Sequence, residues 1–234
     1  MMRKLSLLLL PLLSALLIVS AVMVFEEVRS RQKENNLHEE LLRLVEITEQ
    51  STAPESPSQE EEVFAPEESD TPEPAVHERN LSPVLERNPE CVGWIRIEGT
   101  NIDYPVMHTP DDPQKYLRLN FDGEYSQSGV PFLDARCDPN RGTLLVYGHN
   151  MKNGTQFADL KKYLDTGFRN AHPNIAFETE AGIRFFTVVN VIRTDIYDEI
   201  YNEIAADDDT LMLSTCYGSA KSGRLLIIAK EANP

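Results

Sequence analysis

The sequence has little of what staples many small exported domains together: only three cysteines, Cys91, Cys137 and Cys216, in 234 residues. Three cannot build a disulfide framework, and none falls in the C-x-x-C spacing of zinc sites or redox motifs, so no structural metal is expected. Cationic residues are scarce as well. The 22 Lys and Arg stand against 38 Asp and Glu, a formal charge of -16. Nowhere do Lys and Arg cluster in the way that releases counterions from a phosphate backbone, which disfavours nucleic acid as a partner. Long apolar runs are missing too, except for one at the N-terminus.

That run, Leu5 to Phe25, holds no charged residue. As a helix it would extend about 30 Å, the thickness of a bilayer hydrocarbon core. Arg3 and Lys4 precede it and Glu26 and Glu27 follow. The positive-inside bias therefore assigns 1–25 to a cytoplasmic N-terminus and a transmembrane signal anchor, with everything later outside the cell. A cleaved signal peptide, for which Val19-Ser20-Ala21 offers a small-residue site, is the alternative; either way the chain is exported. Residues 26–50 are rich in helix formers, with Leu37, Leu41, Leu44 and Val45 at helical spacing, and predict a membrane-proximal helix in which His38 is merely solvated. Thr52 to Glu78 has five prolines, nine acids and no Lys or Arg. Such a segment cannot bury enough apolar surface to fold, so 51–78 is expected to be a disordered stalk carrying a domain at 79–234.

Within 79–234 the apolar segments are short and rich in β-branched and aromatic residues. Val92–Ile97, Ile102–Met107, Val130–Asp134, Thr143–Gly148, Asn174–Glu178, Ile183–Arg193, Leu211–Thr215 and Arg224–Ala229 read as about eight strands. Glu180-Ala181-Gly182 reads as a hairpin tip. Helices are expected over Ala75–Arg87, Gln156–Leu164 and Thr194–Ala205. Connections too short for crossover helices argue against a parallel α/β sheet. The expected fold is mainly β, a closed or nearly closed barrel with a few peripheral helices.

Three polar residues fall where strands give way to loops. Cys216 ends Leu211-Met212-Leu213-Ser214-Thr215 and precedes Tyr217-Gly218. His149 ends Thr143-Leu144-Leu145-Val146-Tyr147-Gly148, and Arg224 opens the following strand. If the last two strands form an antiparallel hairpin, Arg224 returns beside Cys216, where a guanidinium stabilises a thiolate and can donate to the oxygen of a carbonyl under attack. A nucleophile, a base and an oxyanion donor at strand ends are what a barrel mouth displays. Papain-like proteases carry cysteine before histidine, the reverse of this order. His77, His108 and His172 lack comparable settings. Asp195 and Asp198 are candidates for a third triad member, but acids there more commonly cap a helix. Cys91 and Cys137 have no flanking His or Arg and are expected to be inert or paired with each other.

At these residues the chain resembles the sortases, class B in particular. Tyr147-Gly148-His149-Asn150-Met151-Lys152-Asn153-Gly154-Thr155, with Phe157-Ala158-Asp159-Leu160, resembles that family's histidine segment, and Leu213-Ser214-Thr215-Cys216 its nucleophile segment. Asn88-Pro89-Glu90, Gly93-Trp94-Ile95 and Asn101-Ile102-Asp103-Tyr104-Pro105-Val106 extend the likeness across about 79–230. The resemblance implies an eight-stranded sortase barrel on the outer face of a Gram-positive membrane, needing no cofactor. It implies a cysteine transpeptidase: Cys216 attacks the Thr-Gly bond of a C-terminal sorting motif on a secreted protein, and an amine from a peptidoglycan cross-bridge or a pilin lysine resolves the thioacyl intermediate. His149 would move the protons and Arg224 hold the substrate, with Ser214, Thr215 and Tyr147 as expected substrate contacts. One departure stands out: many class B members carry a longer helical insertion than Thr194 to Asp209 allows, and that loop borders the family's substrate groove. The competing readings are another exported Cys/His acyl-transferase such as an L,D-transpeptidase, whose Ser-His-Gly-Cys signature is absent, and a silent membrane-tethered binding module.

Overall fold

The computed structural model describes residues 2–50, 79–204 and 208–232, apart from the side chains of 2–12 and 46–50. The chain divides into two compact units, Met1–Leu41 and Leu42–Pro234. A single helix, α1, runs Met2–Gln50, so the apolar run and the expected membrane-proximal helix share one continuous element. Leu16, Leu17, Ile18 and Val19 step around the helix by about 100° each, and all four are exposed. Such an all-round apolar surface is unlike the one-sided stripe of a helix packed on a core. Among the described residues no helix is long and apolar enough to cross a membrane, although the side chains of that run are described only from Leu13 onward. The expected stalk at 51–78 lies outside the described residues.

Eight strands close into a barrel: β1 (Cys91–Arg96), β2 (Asp103–Met107), β3 (Phe132–Leu133), β4 (Leu144–Tyr147), β5 (Asn174–Thr179), β6 (Gly182–Asp195), β7 (Thr210–Cys216) and β8 (Gly223–Glu231), in the order β1-β2-β3-β4-β7-β8-β6-β5. Each falls where a short β-branched or aromatic run predicts it. The pairings β2–β3 and β4–β7 are parallel and the other six antiparallel. The parallel pair explains a feature of the sequence. Leu144-Leu145-Val146 and Leu211-Met212-Leu213 are unbroken apolar runs because both faces of these strands are covered, and all six side chains are buried. The 3-10 helix Phe157–Leu164 supplies part of that cover, packing on β7 and β8 with Phe157 and Leu160 fully buried. Ile95, Val106, Phe177, Phe186 and Ile227 fill the rest of the core.

Where local pattern and long-range pairing compete, pairing wins. Over 194–204, the described part of Thr194–Ala205, the expected helix does not form. Thr194 pairs with Arg224 and Asp195 with Gly223 in the β6–β8 ladder, which leaves only a 3-10 turn at Glu199–Asn202. The helix expected over Ala75–Arg87 is α2, Ser82–Arg87, with Pro83 in its first turn; residues 75–78 lie outside the described set. A short helix α3, Thr166–Ala171, has no counterpart among the expected elements. Cys91 and Cys137 are both free thiols rather than a pair. Burial pushes them up to about 12 and about 11, which makes them inert at neutral pH.

Candidate active site

The site is assembled by strand register. β4 runs parallel to β7 from Leu144↔Leu211 to Tyr147↔Ser214, so the chain leaving β4 at Gly148 and His149 travels beside Thr215 and Cys216. Three bonds lace the two strand ends together. The Gly148 main-chain amide donates to the Ser214 carbonyl at 3.1 Å, the Thr215 hydroxyl to the Gly148 carbonyl at 2.7 Å, and the Asn150 side-chain Nδ2 to the Cys216 carbonyl at 2.8 Å. On the other side of β7, β8 returns antiparallel with Cys216 directly opposite Arg224. Directly opposed residues project from the same face with Cβ atoms about 4.5–5.5 Å apart. The expected hairpin therefore forms.

Two glycines permit this closeness. A Cβ on Gly148 would lie 2.6 Å from the Phe157 ring, and one on Gly223 only 2.3 Å from the Tyr217 carbonyl oxygen. Both would force the strand ends that carry His149 and Arg224 to move.

His149, Cys216 and Arg224 open onto one cavity of about 630 Å³, which Tyr147, Ser214 and Thr215 also line. All six residues expected from the sequence are thus brought together. Cys216 is exposed there, unlike the two buried cysteines. Ser214 and Cys216, two apart on β7, share a face of the strand. The three expected substrate contacts have polar groups already engaged. The Ser214 and Tyr201 hydroxyls are 2.8 Å apart, Thr215 donates to Gly148, and the Tyr147 hydroxyl donates to Asp134 at 2.9 Å. They build the wall as much as they present it.

The His149 ring is half-buried, with Nε2 2.9 Å from the carbonyl oxygen of Leu117. A carbonyl can only accept, so Nε2 carries the proton, and in the neutral ring Nδ1 is the basic atom. Burial holds the His149 pKa below that of an ordinary histidine, and the charges of Arg118 and Arg224 push the same way, against the Leu117 carbonyl. At neutral pH the imidazole is mostly uncharged. The group that orients the ring is a main-chain carbonyl rather than a carboxylate. Asp198 instead caps the 3-10 turn by accepting from the Ile200 amide at 3.0 Å, and Asp195 accepts from the Tyr197 amide at 2.8 Å. Asp198 thus caps a helix, while Asp195, the last residue of β6, closes the turn that follows it. Arg224 donates through Nη1 to the carbonyls of Lys221 and Gly223 at 3.0 and 2.9 Å, which fixes the guanidinium at the loop edge. Among the described residues no group of His, Cys, Asp and Glu could hold a metal ion.

Several contributors had no signal in the sequence. Leu117, which orients the histidine, acts through its main chain, so its side chain says nothing. Asn150 reads as a loop marker, yet its side-chain amide, by donating to the Cys216 carbonyl, makes it the third tie between β4 and β7. Ile196, Tyr201 and Asn202 of the β6–β7 connection and Pro113 and Gln114 of the β2–β3 connection line the cavity. Only the closed barrel reveals that they do.

Comparison with known proteins places this arrangement among relatives. A family model described as a sortase domain matches residues 95–232, more than half of the chain. A protein of Listeria monocytogenes named sortase B is 40% identical over 118 residues, covering 47% of this chain and 46% of the relative. A Staphylococcus aureus protein of the same name is 29% identical over 189 residues, covering 66% of this chain and 77% of the relative. The match thus spans about half the length of the Listeria protein and more of the staphylococcal one. The crystal structure of Clostridium perfringens sortase B superimposes with a TM-score of 0.60 at 28% identity, covering 66% of this chain and all of that one. A Staphylococcus aureus sortase B–substrate complex gives 0.59 at 26%, covering 65% and 84%.

The electrostatics of His149 can be tested directly. NMR titration of its ring should give a pKa below that of an ordinary histidine, and Arg224→Met should raise it by removing a nearby positive charge. A wild-type value at or above the ordinary one, or no response to Arg224→Met, contradicts the electrostatic description.

Proposed function

The chain belongs to the sortase family, and on that premise we propose that it is a cysteine transpeptidase of the class B type with Cys216 as nucleophile. The observation that carries the proposal is a double register: Arg224 faces Cys216 across β7–β8, while the parallel β4–β7 pair delivers His149 to the same cavity. In the proposed reaction, Nδ1 of His149 takes the thiol proton as Sγ attacks the carbonyl carbon of a Thr-Gly bond in a C-terminal sorting motif. The resulting imidazolium protonates the departing glycine amine, leaving a thioacyl group on Cys216. An amine of the cell wall, from a peptidoglycan cross-bridge or a pilin lysine, then gives up its proton to His149 and displaces the thiolate.

Arg224 donates to the substrate carbonyl or to the developing oxyanion. Among the described residues only its Nη1 has protein acceptors, which leaves Nε and Nη2 to the ligand. Tyr147, Ser214 and Thr215 contact the bound peptide from the wall. The protein works outside the cell, held by the Leu5–Phe25 segment as a single membrane span, with residues 51–78 acting as the stalk. Supporting this is the apolar surface that α1 exposes all round from Leu13 to Phe25, which would be costly in water and suits lipid.

Incubation of the purified protein with a panel of fluorogenic sorting-motif peptides and an amino-glycine acceptor should give both cleavage and ligation. Cys216→Ala should give neither. Arg224→Ala should lower kcat by about 10²–10³-fold, the scale for losing one oxyanion donor, with the fold intact by circular dichroism. No turnover by the wild type across the panel would overturn the function, and near-normal turnover of Arg224→Ala would remove that residue from the chemistry.

The anchor is tested separately by the intact mass of the membrane-associated protein. Retention of residues 1–25 is expected; a mature form cut after Ala21 would replace the anchor with a signal peptide.

A further inference from the structure

One polar circuit on the cavity wall plays no part in the proposed chemistry. Arg136 lies on the β3–β4 connection and pairs with Asp134 at two points, Nε to Oδ1 at 2.8 Å and Nη2 to Oδ2 at 2.9 Å. The same Nη2 donates to the main-chain oxygen of Tyr201 at 2.9 Å. Asp134 also accepts the Tyr147 hydroxyl, Tyr147 is the register partner of Ser214, and Ser214 shares a hydrogen bond with the Tyr201 hydroxyl. These contacts close a ring that joins the β3–β4 connection, β4, β7 and the β6–β7 connection.

The segment tied down at Tyr201 has little structure of its own. Among its described residues 198–204 it forms only the 3-10 turn Glu199–Asn202, and so short a turn is not held by its internal bonds. Yet Ile196, Tyr201 and Asn202 are the cavity wall on that side. A solitary exposed ion pair would do little to place it. Arg136 is different because one planar fork serves a carboxylate and a carbonyl at once, which an ammonium on a flexible stem does not reproduce.

We propose that Arg136 is a positioning residue that holds the β6–β7 connection as the wall recognising the peptide substrate, so that its loss weakens peptide binding rather than the chemistry at Cys216. This rests on the peptide-transferring function proposed above. Tyr201 is the strut's far end: its carbonyl takes the Arg136 bond, and its hydroxyl locks onto the strand that carries Cys216.

The test compares wild type, Arg136→Met, Arg136→Lys and Tyr201→Phe by steady-state peptide cleavage and by hydrogen exchange of residues 198–204. Arg136→Met should raise KM roughly five- to tenfold while kcat stays within about twofold, and should speed exchange in that segment. Arg136→Lys should fall between the two, and Tyr201→Phe, which keeps the carbonyl bond, should be milder than Arg136→Met. Unchanged KM and exchange in Arg136→Met overturn the proposal, as does a loss confined to kcat. Should the wild type cleave no peptide, the function fails instead, and exchange alone decides: faster exchange in Arg136→Met supports the strut, and equal exchange sinks it.

Discussion

The parallel pairing of β4 with β7 is the constraint on which the site depends. These strands are remote in sequence, and neither strand end is reactive alone. Their register sets His149 beside the last residues of β7, and the bonds from Gly148, Thr215 and Asn150 hold it there. A shift of the register by one residue would turn the alternate side chains of β7 to the other face and bury Cys216. The buried hydroxyls at the end of β7 resist such a slip, because it would break the bonds from Thr215 to the Gly148 carbonyl and between Ser214 and Tyr201 and leave both groups buried without them. Stability of the barrel and geometry of the site are therefore one requirement.

Around that constraint the electrostatics divide the labour. Burial and the neighbouring arginines keep the imidazole mostly neutral, while the Leu117 carbonyl chooses the tautomer that leaves Nδ1 basic. The two other cysteines are buried thiols held far from ionisation, so reactivity is confined to the exposed one. The acids that a triad would recruit are committed to turns, Asp198 by accepting from the Ile200 amide and Asp195 from the Tyr197 amide. His149, Cys216 and Arg224 all face one cavity.

The strands were legible because each is a short β-branched or aromatic run, and the Cys216–Arg224 juxtaposition because it needs only a hairpin. His149 could be suspected from its place at a strand end, but its approach to Cys216 depends on a non-local parallel pairing that no local pattern encodes. Thr194–Ala205 misled for the same reason. Its helix-compatible pattern was overruled by β8, which claims Thr194 and Asp195. Asn150, Asp134 and Arg136 were invisible because a polar residue in a loop ordinarily means solvent. Only the closed barrel shows that these ones bridge strands.

The proposed chemistry stands or falls on Cys216 as the acyl carrier. Intact and peptide-level mass spectrometry of the wild-type protein, quenched in acid during reaction with a sorting-motif peptide and no acceptor amine, tests this most directly. The expected result is an added mass equal to the peptide fragment ending in threonine, located on Cys216 and released by hydroxylamine. No adduct despite cleavage of the peptide, or an adduct located on Cys91, Cys137 or any other residue, would contradict it.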